Sequence, residues 1–224
     1  MKKIIMASIN VTDWIEENLK HVGATALEVG SRRYKDHSFL DLRKLLEKNT
    51  RNVSIVGCDL TAGDNVDIVV DLTLRMEDVG KAMAYKKFDT IFCVSVLEHI
   101  PDIFSASKNI ASLLNPGGAI YISVPFVFRY HGYPSDLWRF TPEAVKYLFS
   151  EIDFNDFQNS SISTLEQGDC MPLSGKNIEK LNRFIFRPKS REEKVERKRA
   201  KLAGEDIPTY SLAPCMINML GFKQ

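Results

Sequence analysis

Short runs of apolar, mainly β-branched residues alternate with longer segments of helical periodicity along the first two thirds of the chain. Repeated alternation of this kind is typical of βα units arranged around a parallel sheet. The pattern therefore predicts a Rossmann-like, doubly wound α/β fold with helices on both faces of a mostly parallel sheet. The predicted strands are 24–29, 53–58, 66–70, 90–94 and 119–124.

Two boundaries of the predicted helices are marked by particular residues. Thr12 and Asp13 precede Trp14 and Ile15, which begin an apolar pattern of helical spacing, so we expect the first helix to be capped there. The proline and two glycines of residues 115–118 forbid helical continuation and are expected to separate a helix from the fifth strand.

The residues at the ends of the predicted strands are small or polar. Gly30 and Ser31 follow the first strand, Asp59 the second, Asp71 the third and Ser95 the fourth. In open α/β sheets, ligands bind beyond the carboxyl ends of the parallel strands. We therefore expect a ligand site at this edge of the sheet.

Three of these positions suit a nucleoside and also suit ordinary backbone structure. Asp59 is placed to accept both hydroxyls of an adenosine ribose, and it is equally suited to a turn or a helix cap. Gly30 lets backbone approach a ligand closely, or simply makes a turn. Asp71 is a candidate to contact the ribose or the adenine amino group, or to bond within its own turn.

Glu28 lies inside an apolar strand, where an ionised carboxylate is costly unless it is paired. A cationic ligand group or backbone N–H donors would provide a partner. The alternative is a structural ion pair with Arg32 or Arg33.

The turn after the first strand contains a single glycine, whereas dinucleotide sites use several glycines to cradle a pyrophosphate. The Gly-Lys-Ser or Gly-Lys-Thr ending of a triphosphate-binding loop is absent from the sequence. The turn therefore favours an adenosine cofactor without a phosphate tail.

Several segments resemble the motifs of class I S-adenosylmethionine-dependent methyltransferases, in the family's order and spacing, from residue 24 to about 150. The closest resemblance is to a subgroup, often encoded near glycosyltransferases, that has a single-glycine first motif and a later H-x-x-Pro-x-Asp-x-x-Arg segment. The segments are Leu27-Glu28-Val29-Gly30-Ser31, Val56-Gly57-Cys58-Asp59, Phe88-Asp89-Thr90-Ile91, Val96-Leu97-Glu98-His99-Ile100-Pro101-Asp102, Leu114-Asn115-Pro116-Gly117-Gly118, Ile122-Ser123-Val124-Pro125 and 131–140.

The resemblance implies a seven-stranded sheet whose last strand, within 210–222, is antiparallel, and one methyltransferase domain over 1–224. Residues from about 163 to 208 would be a basic, partly helical insertion before that strand. The implied cofactor is S-adenosylmethionine, with S-adenosylhomocysteine as product, and no metal is implied. The implied cofactor contacts are Glu28, Gly30, Ser31, Asp59, Leu60, Asp71 and Ser95.

Transfer to a weakly acidic hydroxyl needs a base, and two histidines are candidates. His99 follows the fourth strand, and its alternative role is a backbone-bonded residue at a helix start. His131 lies near Asp136 and Arg139, a polar group suited to orient a sugar or an anionic acceptor. In the alternative, Asp136 and Arg139 form a structural i,i+3 ion pair.

Composition limits the class of protein. A length of 224 residues suits one domain, and the composition, with a net charge of +1, is ordinary for a globular protein. The four cysteines are scattered singly, which excludes a paired-cysteine zinc site and favours a reducing compartment. Neither a signal peptide nor a membrane-spanning run is predicted, so we expect a soluble, cytoplasmic protein, and an oligomer is compatible with the sequence.

Residues 183–201 contain nine Lys or Arg and three Glu. We favour a solvated helix or an anion-binding lid over a nucleic-acid contact. The segment from His131 to Arg139, together with the resemblance to the subgroup encoded near glycosyltransferases, leads us to expect methylation of a small-molecule or saccharide hydroxyl. Two rival hypotheses are an RNA or protein methyltransferase that docks through the basic segment, and a non-catalytic member of the fold.

Overall fold

The computed structural model describes residues 6–33, 40–50, 52–128, 130–132, 135–164, 170–172 and 214–224, together with positions 195, 199 and 202. These residues contain one nine-stranded sheet. Its strands are β1 (Thr25–Val29), β2 (Ser54–Asp59), β3 (Ile68–Val69), β4 (Phe88–Val94), β5 (Leu114–Pro125), β6 (Ile152–Asp153), β7 (Ser161–Thr164), β8 (Cys170–Pro172) and β9 (Pro214–Lys223).

The sheet has a parallel half and an antiparallel half, in the order β3-β2-β1-β4-β5-β9-β7-β8. Strands β3, β2, β1, β4 and β5 pair in parallel. Strand β9 is antiparallel to β5, and β7 and β6 both pair with it. The predicted antiparallel last strand is confirmed. Nine strands occur instead of seven because the short strands β6 and β8 pair within the antiparallel half.

Helices cover both faces of the sheet, as predicted. Val11, Trp14 and Ile15 in the first helix pack with the second helix onto alternate residues of β1, β4 and β5. The remaining helices contribute to a larger core on the other face. The helices are α1 (Met6–Glu17), α2 (Leu42–Asn49), α3 (Met76–Ala82), α4 (Ile103–Ser112) and α5 (Pro142–Leu148).

The predicted start of the first helix and the predicted start of the fifth strand are corrected. Thr12 and Asp13 lie in the middle of α1, because the helix begins at Met6 and tolerates an exposed Asp13. Helix α4 ends at Ser112, before residues 115–118, as expected. Those residues, however, belong to β5 and bulge from it, since Phe88 pairs with Leu114 and Thr90 pairs with Ala119.

Much of the predicted insertion at 163–208, including the basic segment apart from positions 195 and 199, lies outside the described residues. The described portion includes Thr164 at the end of β7 and the whole of β8. Among the described residues, no helix combines the length and the apolar character needed to cross a bilayer.

Asp89 joins three segments at the amino end of the parallel strands. Its Oδ2 accepts hydrogen bonds from the Thr25 backbone N at 3.0 Å and from the Thr25 hydroxyl at 2.8 Å. Its Oδ1 accepts one from Asn115 Nδ2 at 2.9 Å, in the bulge of β5. These hydrogen bonds from Asn115 and Thr25 hold the pKa of the Asp89 carboxyl below its usual range.

We expect Asp89→Asn to reduce the free energy of unfolding by about 1–3 kcal/mol, because the amide loses one acceptor oxygen among fixed donors. The folded-state pKa of Asp89 is depressed, so its stabilisation is complete above the unfolded pKa and is lost as pH falls through the folded value. Denaturant unfolding at neutral and acid pH should show the difference from wild type shrinking in acid. A pH-independent difference, or an equal loss in the exposed control Asp13→Asn, would contradict this.

Candidate active site

The carboxyl ends of β1, β2 and β4 meet at one edge of the sheet. Val29 pairs with Cys58 on one side and with Cys93 on the other. The backbone N–H of Gly30 donates to the Cys58 carbonyl at 2.8 Å. The structure thus brings Gly30, Ser31, Asp59 and Ser95, four of the proposed cofactor contacts, to this edge.

Gly30 is exposed and has a left-handed backbone, with φ +71°. A Cβ at this position would lie 2.4 Å from Cγ2 of Val96, a residue in the segment after β4. The absence of a side chain therefore allows the turn after β1 to lie directly against Val96. The neighbouring Ser31 side chain is buried, and Gly57 leaves room for it.

Asp59 has the hydrogen bonds of a turn aspartate. Its Oδ1 accepts from the backbone N and the hydroxyl of Thr61, at 3.0 and 3.3 Å, and its Oδ2 accepts from the Arg32 backbone N at 3.3 Å. The carboxylate thus links the loops after β1 and β2. An ionised carboxylate has about four acceptor positions, so this half-buried group retains capacity for further donors. The adjacent Leu60 is 60% exposed.

Glu28 is paired with an amide and not with an arginine. Asn65 Nδ2 donates to Glu28 Oε2 at 2.9 Å and also to the Ser31 carbonyl at 3.1 Å. Arg33 forms its ion pair with Asp41 instead. Burial raises the pKa of the Glu28 carboxyl, and the Asn65 hydrogen bond partly opposes that rise.

Asp71 and Ser95 occupy turns at the same edge. Asp71 Oδ1 accepts from the backbone N and the hydroxyl of Thr73, at 2.8 and 2.6 Å, which is the turn arrangement left open by the sequence. Ser95 has a φ of +54°, uncommon for a residue with a side chain, and its N–H donates to the Ser123 carbonyl at 2.8 Å. Backbone strain of this kind occurs often at ligand sites.

The segment after β4 and the loop after β5 are joined next to this edge. The Leu137 backbone N donates to the Glu98 carbonyl at 2.8 Å, and Nδ1 of His99 contacts the Ser135 carbonyl oxygen. The rings of His99 and His131 lie edge to face with centroids 5.1 Å apart. Two of the histidines of the sequence, distant along the chain, thus form one cluster.

Glu98 also belongs to this cluster, although its sequence context predicted no role for it. Its residue is 1% exposed, and burial raises the pKa of its carboxyl to about 8. Its Oε1 lies 3.9 Å from Nε2 of His99, while its Oε2 has no hydrogen-bond partner among the described residues. The signal for Glu98 available in the sequence was a carboxylate in a short segment that also contains the apolar residues Leu97 and Ile100.

Asp136 and Arg139 form the i,i+3 ion pair that was the structural alternative for this segment. The Arg139 guanidinium contacts both carboxylate oxygens, at 2.5 and 2.8 Å, and holds the pKa of Asp136 well below its usual range. The Asp136 side chain is 1% exposed, and it also accepts from the His131 backbone N at 2.9 Å. The pair therefore positions His131.

Against this geometry, a family model described as a methyltransferase domain matches residues 11–159. The chain belongs to this methyltransferase-domain family, which confirms the class recognised from the motifs. It is 31% identical over 121 residues to the ubiquinone biosynthesis O-methyltransferase of Xanthomonas euvesicatoria, covering 50% of this chain and 47% of that protein. It is 37% identical over 87 residues to the tRNA U34 carboxymethyltransferase of Nautilia profundicola, covering 35% of this chain and 28% of that protein. The chain thus spans less than half of each of these relatives.

Solved structures share the fold across almost the whole chain. A methyltransferase from Archaeoglobus fulgidus superposes with a TM-score of 0.55 at 14% identity, covering 95% of this chain and 93% of the other. A second structure, from Thermobifida fusca, superposes with a TM-score of 0.53 at 13% identity, covering 99% of this chain and 81% of the other. At these identities the comparisons confirm the predicted Rossmann-like fold.

The contact between Gly30 and Val96 predicts a difference between two glycine substitutions. Gly117 also has a positive φ, +74°, but a Cβ there meets nothing within 4 Å. We expect Gly117→Ala to cost about 1–2 kcal/mol from backbone strain alone, and Gly30→Ala to cost a further ~1–3 kcal/mol from overpacking. Chemical denaturation measures both. The double variant Gly30→Ala/Val96→Ala should recover much of the difference, and no recovery would contradict the contact.

Proposed function

We propose that this protein transfers a methyl group from S-adenosylmethionine to a hydroxyl group of a small molecule or saccharide. The observation that most directly supports cofactor binding is the arrangement at the strand ends, where the half-buried Asp59 carboxylate lies beside the exposed, left-handed Gly30. Membership of the methyltransferase-domain family supports the reaction class. The scattered cysteines, two of them free and buried, support action in the cytoplasm.

The residues at this edge fit the adenosine portion of the cofactor. Asp59 retains acceptor capacity for ribose hydroxyls, and Gly30 allows backbone to approach a ligand without a Cβ. The exposed Leu60 offers an apolar surface to a purine ring. S-adenosylmethionine supplies a methyl group on an electrophilic sulfonium. The further proposed contacts are Glu28, Ser31, Asp71 and Ser95.

The cluster of Glu98, His99 and His131 is the proposed acceptor side of the site. Burial lowers the pKa of His99, so its ring is neutral near pH 7 and able to accept a proton. His131 belongs to the same cluster and is positioned by the buried Asp136 carboxylate. An alcohol needs assistance to lose its proton, and this cluster is the polar group suited to give it.

The names of the two relatives indicate different classes of methyl acceptor. The name of the Xanthomonas relative specifies an O-methyltransferase, which favours a hydroxyl acceptor for the longer of the two matches reported above. The Nautilia relative is named for transfer to a tRNA, which favours RNA as the second candidate. Incubation with labelled cofactor and parallel panels of phenols, saccharides and RNA separates the two. Binding of RNA should also weaken steeply as salt is raised.

Asp59→Ala should weaken S-adenosylmethionine binding about 10- to 100-fold, because a carboxylate acceptor of the ribose hydroxyls is removed. Isothermal titration calorimetry with the cofactor and with S-adenosylhomocysteine measures this. The matched control is Asp64→Ala, which removes the same charge from an exposed side chain five residues away. Equal affinities in wild type and Asp59→Ala would contradict the assignment. No binding to wild type would favour a non-catalytic member of the fold.

His131→Ala should reduce turnover of an acceptor found in the panel by about 100-fold or more, and it should leave cofactor affinity unchanged, because the ring belongs to the acceptor side. Initial rates and calorimetry on the same preparation measure the two effects. His21→Ala is the control, since His21 precedes β1 at the opposite edge of the sheet. Unchanged turnover in His131→Ala would remove this residue from the mechanism.

A further inference from the structure

Glu98, His99 and His131 offer ligand atoms that all lie within 4.8 Å of one another. Two of these residues follow β4 and the third follows β5. The backbone bond from Leu137 N to the Glu98 carbonyl holds the two segments together. Imidazole nitrogen and carboxylate oxygen are the donor atoms that divalent transition metals commonly take in proteins.

Each imidazole has an oxygen atom beside its Nδ1. Nδ1 of His99 contacts the Ser135 carbonyl, which can only accept, so Nδ1 carries the proton and Nε2 carries the lone pair. Nδ1 of His131 lies 3.2 Å from Asp136 Oδ2, and Arg139 keeps that carboxylate ionised, which favours the same tautomer. Metal-binding histidines are oriented in this way, with the second ring nitrogen donating to a carbonyl or a carboxylate.

Glu98 supplies an independent observation. Its side chain is 1% exposed, and its Oε2 has no hydrogen-bond partner among the described residues. A buried carboxylate oxygen without a donor is costly, and such groups in folded proteins call for an explanation. The side chain points toward the cluster, with Oε1 3.9 Å from Nε2 of His99. A cation between these groups would satisfy the carboxylate.

We propose that Glu98, His99 and His131 bind a divalent first-row transition metal ion, such as Zn²⁺, Mn²⁺ or Fe²⁺. Bonds of about 2.1 Å place neighbouring ligand atoms roughly 3–3.5 Å apart, so binding requires small side-chain rotations that draw the groups together. Three protein ligands leave coordination positions open, as in catalytic metal sites. His131 is half-buried, which gives access from the solvent side.

The role of the ion rests on the proposed function. An acceptor hydroxyl bound at an open position would have a lowered pKa and would release its proton to solvent. The resulting oxygen anion then forms the O–C bond to the methyl group while the S–C bond breaks, which leaves S-adenosylhomocysteine. In this form of the mechanism the two histidines act as ligands, and neither has to accept the proton.

The test is direct metal binding by the full chain after treatment with a chelator and removal of the chelator. Titration with Co²⁺ is followed by its visible absorption, and titration with Zn²⁺ is followed by competition with a chromogenic chelator. We expect one equivalent to bind to wild type and to the control His21→Ala. Glu98→Gln and His131→Ala should each weaken binding at least about tenfold. Circular dichroism measures whether each variant is folded. If Glu98→Gln unfolds, His131→Ala still tests the site, because His131 is a half-buried loop residue.

Calorimetry with S-adenosylmethionine on the same samples separates this proposal from the function on which its role rests. Cofactor binding without metal binding would overturn the metal site and leave the methyltransferase proposal intact. Metal binding without cofactor binding would overturn the methyltransferase proposal and leave the metal site intact. Equal metal affinity in wild type, Glu98→Gln and His131→Ala would also overturn the site, because the ion would then bind elsewhere.

Discussion

The parallel pairing of β1 with both β2 and β4 places three strand ends side by side, and the candidate site depends on this register. Val29 is level with Cys58 and Cys93, so the next residues of each strand emerge at one edge. The carbonyl of Cys58 accepts from the N–H groups of both Gly30 and Ser31, which turns the chain sharply at that point. A one-residue slip in this pairing would move Asp59 away from the Arg32 backbone N that it accepts from.

The proposed acceptor side is built differently, from contacts between two loops. Leu137 and Ser135 both reach back to the segment that contains Glu98 and His99. Asp136, between them, is held by Arg139 and in turn holds His131. The Asp136–Arg139 ion pair, which was the structural interpretation of the motif after β5, is present and positions His131, and the role of His131 in catalysis stays a prediction.

Much of the fold was predictable because its signals are local. Alternation of apolar runs defines the strands, and the small or polar residues after them define the ligand edge. The start of α1 was wrong because Thr12 and Asp13 resemble a cap although the helix begins at Met6. The partner of Glu28 was missed because Asn65 lies 37 residues away, and no local pattern connects them. Glu98 has a local signal, a carboxylate among apolar residues, but the loop that joins its segment at Leu137 lies 39 residues further along the chain, so its cluster with His131 was missed.

Val96 touches the Gly30 turn and lies two residues before Glu98, so one short segment borders both halves of the site. A nucleoside that shifted the Gly30 turn would also displace Val96 and, with it, the segment that contains Glu98. If occupation of the nucleoside half changes the affinity for a ligand among the imidazoles, thermodynamic reciprocity requires that ligand to change nucleoside affinity by the same factor.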